Sequence, residues 1–203
     1  MISVIDYGVS NLGSMLNMLR KVGAQAQLVS TAEELDRAEK IILPGVGAFD
    51  NGIAALTERG LVEPLRRKAL TDKVPLLGVC LGMQMLGRCS EEGGLAGLGL
   101  VDAETRRFRF AADSGHKVPH MGWRVLAARR DSPLLRGLDA MTRFYFCHGY
   151  HLVCGDSADV LASASYGNDF VAMVRHDNVF GVQFHPEKSH RFGMALLHNF
   201  AEM

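Results

Sequence analysis

One tryptophan, six prolines and four cysteines in 203 residues exclude several protein classes at once. Cys80, Cys89, Cys147 and Cys154 follow no framework spacing, so a disulfide-stapled module is not expected and a reducing, cytosolic location is. Net charge is missing too: 22 Lys and Arg balance 22 Asp and Glu, so bulk charge points to neither nucleic acid nor a membrane surface. Arg66-Arg67-Lys68 and Arg106-Arg107-Phe108-Arg109 are short basic pieces that read as solvated faces. No apolar run reaches the length of a membrane helix, and Met1–Asp6 has neither a basic region nor a cleavage site, so no secretion signal is expected. Cys147, His148, His151 and Cys154 lack a tight Cys-x-x-Cys or His-x-x-x-His pair, so neither a metal nor another cofactor is expected.

What is present is an alternation of apolar runs and helical patterns. Ile2–Asp6 reads as a strand, and Asn11–Val22 as a helix that Gly23 stops. Ala26–Val29 is a strand, and Ser30-Thr31-Ala32-Glu33 is a capping-box signature opening a helix. Lys40–Leu43 reads as a strand and Ala48–Arg59 and Leu61–Leu70 as helices, Pro64 being tolerable only in a first turn. Leu76–Val79 is a buried-type strand leading through Cys80 into helical Leu81–Leu86. This order predicts an α/β fold, a mostly parallel central sheet flanked by helices, in one domain spanning 1–203. The C-terminal half is β-rich: Glu104–Phe108, Arg124–Ala127, Phe144–His148, Val160–Ala164, Phe170–Arg175 and Val179–Phe184. Ser189–Glu202 reads as a closing helix with Met194, Leu197 and Phe200 inward.

Chemistry concentrates at two places about a hundred residues apart, Gly78-Val79-Cys80-Leu81-Gly82 and Val182-Gln183-Phe184-His185-Pro186-Glu187. Alone, a cysteine after an apolar run is a small buried hydrophobe and His-x-Glu is surface decoration. The strand-to-helix junction changes that, because it resembles the nucleophile elbow of hydrolases. Glycines flanking Cys80 allow another chain or a substrate to come close, and a helix N-terminus favours a thiolate and offers N–H groups to an oxyanion. A thiol nucleophile needs a base and a group that orients the base. His185 and Glu187, two apart in what reads as an extended segment, leave one face, so Cys80, His185 and Glu187 read as a triad. Parallel sheets place sites at strand carboxyl ends, so Asp6-Tyr7-Gly8, Pro44-Gly45-Val46-Gly47 and Cys80 are expected on one rim. Gln84, a turn after Cys80, is on its face; by spacing alone it is equally an ordinary polar helix residue.

Pro44-Gly45-Val46-Gly47, Gly78–Gln84 and His185-Pro186-Glu187 together resemble the class I (triad) glutamine amidotransferases over nearly the whole chain. Within them, Ile5-Asp6-Tyr7-Gly8, Val118-Pro119-His120-Met121-Gly122-Trp123 and Phe144-Tyr145-Phe146-Cys147-His148 resemble the glutaminase subunit of imidazole glycerol phosphate synthase. The resemblance implies glutamine as substrate and a (β/α)₈-barrel cyclase as partner in a heterodimer, with ammonia passed to it for histidine and a purine precursor. It implies that Cys80 attacks the carboxamide, His185 moves the proton and Glu187 orients His185, with an oxyanion hole from Leu81 and Gly45, Val46 and Gly47. Gln84, Glu92 and the backbone at Gly149-Tyr150 match positions that hold the amino-acid end of glutamine, and Asn11, Met121, Trp123 and Lys188 match the cyclase face. Without the family, Trp123 would read as a core aromatic.

Gly149 stands where the family has Ser or Thr, and Arg124 where it has Asn. Ser189-His190-Arg191-Phe192-Gly193-Met194 resembles a paralogous branch that feeds ammonia to sugars of surface polysaccharides. A stress-response cysteine hydrolase or chaperone of the same superfamily would leave His185-Pro186-Glu187 and the Trp123 block unexplained. A non-enzymatic scaffold would retain no reason for all three triad residues.

Overall fold

Strand runs buried on both faces set the architecture, because such runs can only lie inside a sheet covered on two sides. The computed structural model describes residues 1–8 and 11–203. Its first half runs β1 (Ile2–Ile5), α1 (Leu12–Lys21), β2 (Ala26–Val29), α2 (Ala32–Asp36), β3 (Ile41–Gly45), α3 (Phe49–Glu58), α4 (Val62–Leu70), β4 (Leu76–Cys80) and α5 (Leu81–Met85). The second half runs β5 (Cys89–Ser90), β6 (Ala103–Arg107), β7 (His120–Val125), β8 (Ala127–Ala128), β9 (Arg143–His148), β10 (Tyr150–Cys154), β11 (Val160–Tyr166), β12 (Asn168–His176), β13 (Val179–Val182) and α6 (His190–Glu202).

The main sheet has eight strands in the order β2-β1-β3-β4-β13-β12-β11-β8. Pairing is parallel from β2 through β13 and antiparallel beyond. The expected mostly parallel α/β sheet with a β-rich second half is therefore the fold. Side chains alternate across it: Ile41, Leu43 and Leu76 pack under α2 to α5, while Ile42, Leu77 and Val79 pack against α1 and α6. Each such fully buried aliphatic contributes about 1.5–3 kcal/mol. Two smaller sheets, β10-β6-β5 and β7-β9, stand beside the main one.

Local signals explain the element ends. Gly23 follows α1 at φ 78, a left-handed stop, and Arg20 and Lys21 in the last turn complement the helix dipole. The capping box before α2 is one residue later than expected: Thr31 and Glu34, not Ser30 and Glu33, exchange the bonds. Both start with a hydroxyl residue, and the register is decided by Leu35, which must reach the core. The segment expected as one strand over Arg124–Ala127 is split between β7 and β8, which belong to different sheets. In α6, Leu197 and Phe200 are fully buried and Met194 is partly so. Among the described residues no helix is long and apolar enough to cross a membrane.

Candidate active site

Cys80 ends β4 and caps α5 with φ 54 and ψ −109, a backbone conformation that L residues avoid. The turn is this sharp because β4 runs directly into the helix without a loop. The flanking glycines serve that packing rather than substrate approach. A Cβ on Gly82 would lie 1.8 Å from the carbonyl oxygen of Leu43 in β3, and one on Gly78 would lie 2.7 Å from the carbonyl of Gly82. Gly45 presses on the same turn, since its Cβ would meet Gly82 N at 3.0 Å and Tyr7 Oη at 2.5 Å. Tyr7 is buried and donates to the Pro44 carbonyl at 2.7 Å, pinning the strand end that leads into Val46 and Gly47. Burial, and secondly Cys80, raise its pKa. Val46, Gly47 and Leu81 thus share one wall of a cavity with Cys80.

His185 is not followed by extended chain. Pro186–Lys188 form a 3-10 turn, with Pro186 at its first position, where the lost N–H costs nothing. The turn still brings Glu187 Oε1 to 2.8 Å from His185 Nδ1, and both side chains are almost fully buried. The alignment is braced from α6 and β9. Ser189 Oγ donates to the His185 carbonyl at 2.6 Å and accepts the Tyr145 N–H at 3.0 Å, while the His185 N–H donates to the Tyr145 carbonyl at 2.9 Å. A Cβ on Gly193 would sit 1.8 Å from the Pro186 carbonyl, so α6 rests directly on this turn. Burial disfavours the charged imidazole, but Cys80 and Glu187 outweigh it and push the His185 pKa up to about 10. Glu187 Oε2 is buried with no hydrogen-bond partner among the described residues.

Both halves open into one cavity of about 730 Å³. Its walls include Asn11, Val46, Gly47, Cys80, Leu81, Gln84, Glu92, Gly149, Tyr150, His185 and Lys188. Gly45 and Glu187 line a small void beside it with Asn11 and His185. Met121 and Trp123 lie outside the cavity on β7: Met121 is 60% exposed, and Trp123 stacks flat on His190 with ring centroids 5.6 Å apart. Gln84 is not pointed at open solvent. Its amide donates to the Tyr150 carbonyl and to Gln183 Oε1, both at 3.1 Å. Glu92 Oε2 accepts the Phe49 N–H at 2.9 Å.

Two histidines stand behind Tyr150, His148 in the cavity wall and His120 fully buried beyond it. His148 Nδ1 lies 2.7 Å from the Tyr150 carbonyl and so carries the proton; its Nε2 then accepts from His120 Nδ1 at 3.2 Å. Burial is the first cause holding both neutral, His148 at about 3 and His120 at about 4, where Arg124 adds to it. Residues to which the sequence assigns no role at the site also stand there. Gln183 Nε2 is 3.8 Å from Cys80 Sγ, and Arg107, Val118, Pro119 and Cys147 line the cavity. Gln183 was legible as the one polar residue in an otherwise apolar strand end; Arg107 was hidden in a basic run. Among the described residues no group of three or more His, Cys, Asp or Glu is placed to hold a metal.

The sequence model of the family "Glutamine amidotransferase class-I" matches residues 3–203. Imidazole glycerol phosphate synthase subunit HisH 2 of Pseudomonas aeruginosa is 51% identical over 203 residues, covering 100% of both chains. The subunit HisH 2 of Methanococcus maripaludis is 46% identical over 200 residues, covering 98% of each. The fold is similar to that of PurLQS from Thermotoga maritima, at TM-score 0.76 and 21% identity over 99% of this chain and 97% of that one.

Proposed function

The chain belongs to the class I glutamine amidotransferases, and from that premise we propose that it is the glutaminase subunit of an imidazole glycerol phosphate synthase, acting in histidine biosynthesis. The observation that carries the chemistry is the strained Cys80 turn within hydrogen-bond reach of His185 in one cavity, with Glu187 buried behind the ring. The Cys80 thiolate adds to the side-chain carboxamide carbon of glutamine, and the carbonyl π pair moves to oxygen. N–H groups of Leu81 and of the Gly45–Gly47 loop stabilise that oxyanion. His185, which holds its proton well above neutrality, gives it to the departing ammonia, leaving a thioester. The neutral ring then takes a proton from water, whose hydroxide displaces the thiolate and releases glutamate. Glu187 orients the ring and balances its charge. Gln84, Glu92 and the Gly149-Tyr150 backbone hold the amino-acid end.

The subunit names of the relatives imply a partner subunit. We assign that partner as a (β/α)₈-barrel cyclase forming a heterodimer through Asn11, Met121, Trp123 and Lys188, in the cytoplasm. One observation favours a second reading of the acceptor. His190, in the run that resembles the polysaccharide branch, stacks on Trp123 and so sits on the proposed partner face. Both readings share the glutaminase step and differ in the partner. The test measures glutamate formation by the chain alone, with a co-purified cyclase, and with cyclase plus acceptor. Stimulation of roughly a hundredfold or more, the worth of one oxyanion donor, is expected. Full turnover by the isolated chain would refute partner activation, and parent-rate turnover by Cys80→Ala would refute the triad.

A further inference from the structure

Arg107 is a cation at the cavity wall that pairs with no carboxylate among the described residues. In β6, Ala103 and Thr105 face the interior while Glu104 and Arg106 face out, so the strand pleat puts Arg107 on the inward face, at the point where that face opens into the cavity. Its arginine neighbours are all engaged. Arg88 pairs with Asp102 at 3.0 Å and Glu104 at 3.1 Å, Arg106 with Glu104 at 2.6 Å, and Arg109 with Glu91. Among the described residues no carboxylate comes within salt-bridge distance of the Arg107 guanidinium. Its backbone, by contrast, is fixed, since its N–H donates to Glu91 Oε2 at 2.8 Å.

Strand register places this cation beside Tyr150. Arg107 and Tyr150 are opposed across the β6–β10 pair, and the Phe108 N–H donates to the Gly149 carbonyl at 3.1 Å. That bond makes Arg107 and Tyr150 a non-hydrogen-bonded pair, the geometry in which opposed side chains come closest. It also turns the polar groups of Tyr150 to the other edge, where Gln84 and His148 reach its carbonyl. Next to it, Gly149 contributes no side chain, and a Cβ there would meet only side-chain atoms at ordinary contact distance, Val118 Cγ1 at 3.5 Å and Pro119 Cβ at 4.0 Å. The amino-acid end of glutamine carries an ammonium and a carboxylate. Glu92 in the same cavity supplies a negative partner, and the carboxylate requires a positive one.

We propose that Arg107 is a specificity-determining residue that binds the α-carboxylate of glutamine. This rests on the glutaminase reading above. Lys188 is a second cation at the cavity, but it rises from the triad's own turn, packed beside α1, and not from the wall that holds Gln84, Glu92 and Tyr150.

The experiment compares glutamine with its α-amide, in which the carboxylate is a neutral carboxamide, as substrates of the partner-bound enzyme. Replacing Arg107 (exposed, so the fold is retained) by Ala should raise KM for glutamine about 10- to 100-fold, the range of a charge-assisted hydrogen bond, with kcat within a few-fold. Arg107→Lys should recover part of the loss. The α-amide should be poor for the parent enzyme by a similar factor and insensitive to Arg107→Ala. An unchanged glutamine KM, an equal loss for both substrates, or a loss confined to Lys188→Ala would overturn the proposal. Calorimetric titration of glutamine into Cys80→Ala, with and without Arg107→Ala, separates the two readings. Arg107-dependent binding to Cys80→Ala, beside a partner-bound parent enzyme that forms no glutamate, would refute the glutaminase and keep Arg107; binding to Cys80→Ala that is unaffected by Arg107→Ala, or no binding at all, would overturn Arg107.

Discussion

Replacing Cys80 by glycine should give a more stable protein than replacing it by alanine. At an ordinary buried site the order is reversed: glycine has more backbone freedom to lose on folding and is worse than alanine by roughly 0.5–1 kcal/mol. Cys80, however, sits at φ 54 and ψ −109, where a Cβ collides with its own backbone. Holding an L residue in such a region costs about 1–3 kcal/mol. Alanine keeps the Cβ and the strain, glycine removes both, and neither retains the sulfur, so its packing cancels from the comparison. Net, Cys80→Gly should exceed Cys80→Ala by roughly 0.5–2 kcal/mol. For a domain of this size each kcal/mol moves Tm by about 2–4 °C, giving a difference of several degrees. Thermal and urea unfolding followed by circular dichroism, on two variants that are equally inactive, reads it directly. A Cys80→Gly protein less stable than Cys80→Ala by the ordinary margin would show that the turn is unstrained and that β4 enters α5 without cost.

Three more expectations follow from the site. Glu187→Gln should lower kcat for glutamine less than His185→Ala does, since the carboxylate orients the ring but the ring carries the proton; equal residual rates in steady-state assays would contradict these roles. His185 has a folded pKa raised from 6.5 to about 10, so the stability it contributes is present in full below about pH 6.5 and is lost as pH rises through about 10. His120 and His148 are depressed, so stability also falls as pH drops from about 6.5 towards 4, where the unfolded chain binds protons that the folded rings refuse; urea midpoints between pH 4 and pH 10.5 should trace both limbs. Gly82→Ala, whose Cβ would be 1.8 Å from a β3 carbonyl, should cost more than about 3 kcal/mol or prevent folding, while Gly149→Ser should change stability by less than about 0.5 kcal/mol, as thermal melts will show.

Strands that bury both faces were readable because their apolar runs admit one placement: β1, β3 and β4 lie within two residues of their expected spans, as do α1, α3 and α4, whose ends carry stop signals or apolar periodicity. The triad was readable for a different reason, since Cys80, His185 and Glu187 are unusual company for apolar strand ends. Strand β10 was not, because Tyr150–Cys154 pairs along only one edge with β6 and mixes buried and exposed positions. The turn after His185 was misread because proline suits an extended chain and a helix start equally. Arg107 is concealed in the sequence because a run of adjacent charges looks like one solvated face, whereas successive strand residues point to opposite sides.

The seat of α6 on Pro186 ties the catalytic carboxylate to the fate of the C-terminal helix. Ser189 and Gly193 hold the turn from the helix side, so α6 and Glu187 form one cooperative unit of opening. Brief detachment of α6, far smaller than global unfolding, would let Glu187 swing away from His185 while Cys80 and its wall stayed in place. Amide exchange along α6 and loss of turnover on warming should then report the same event, both ahead of the main melting transition.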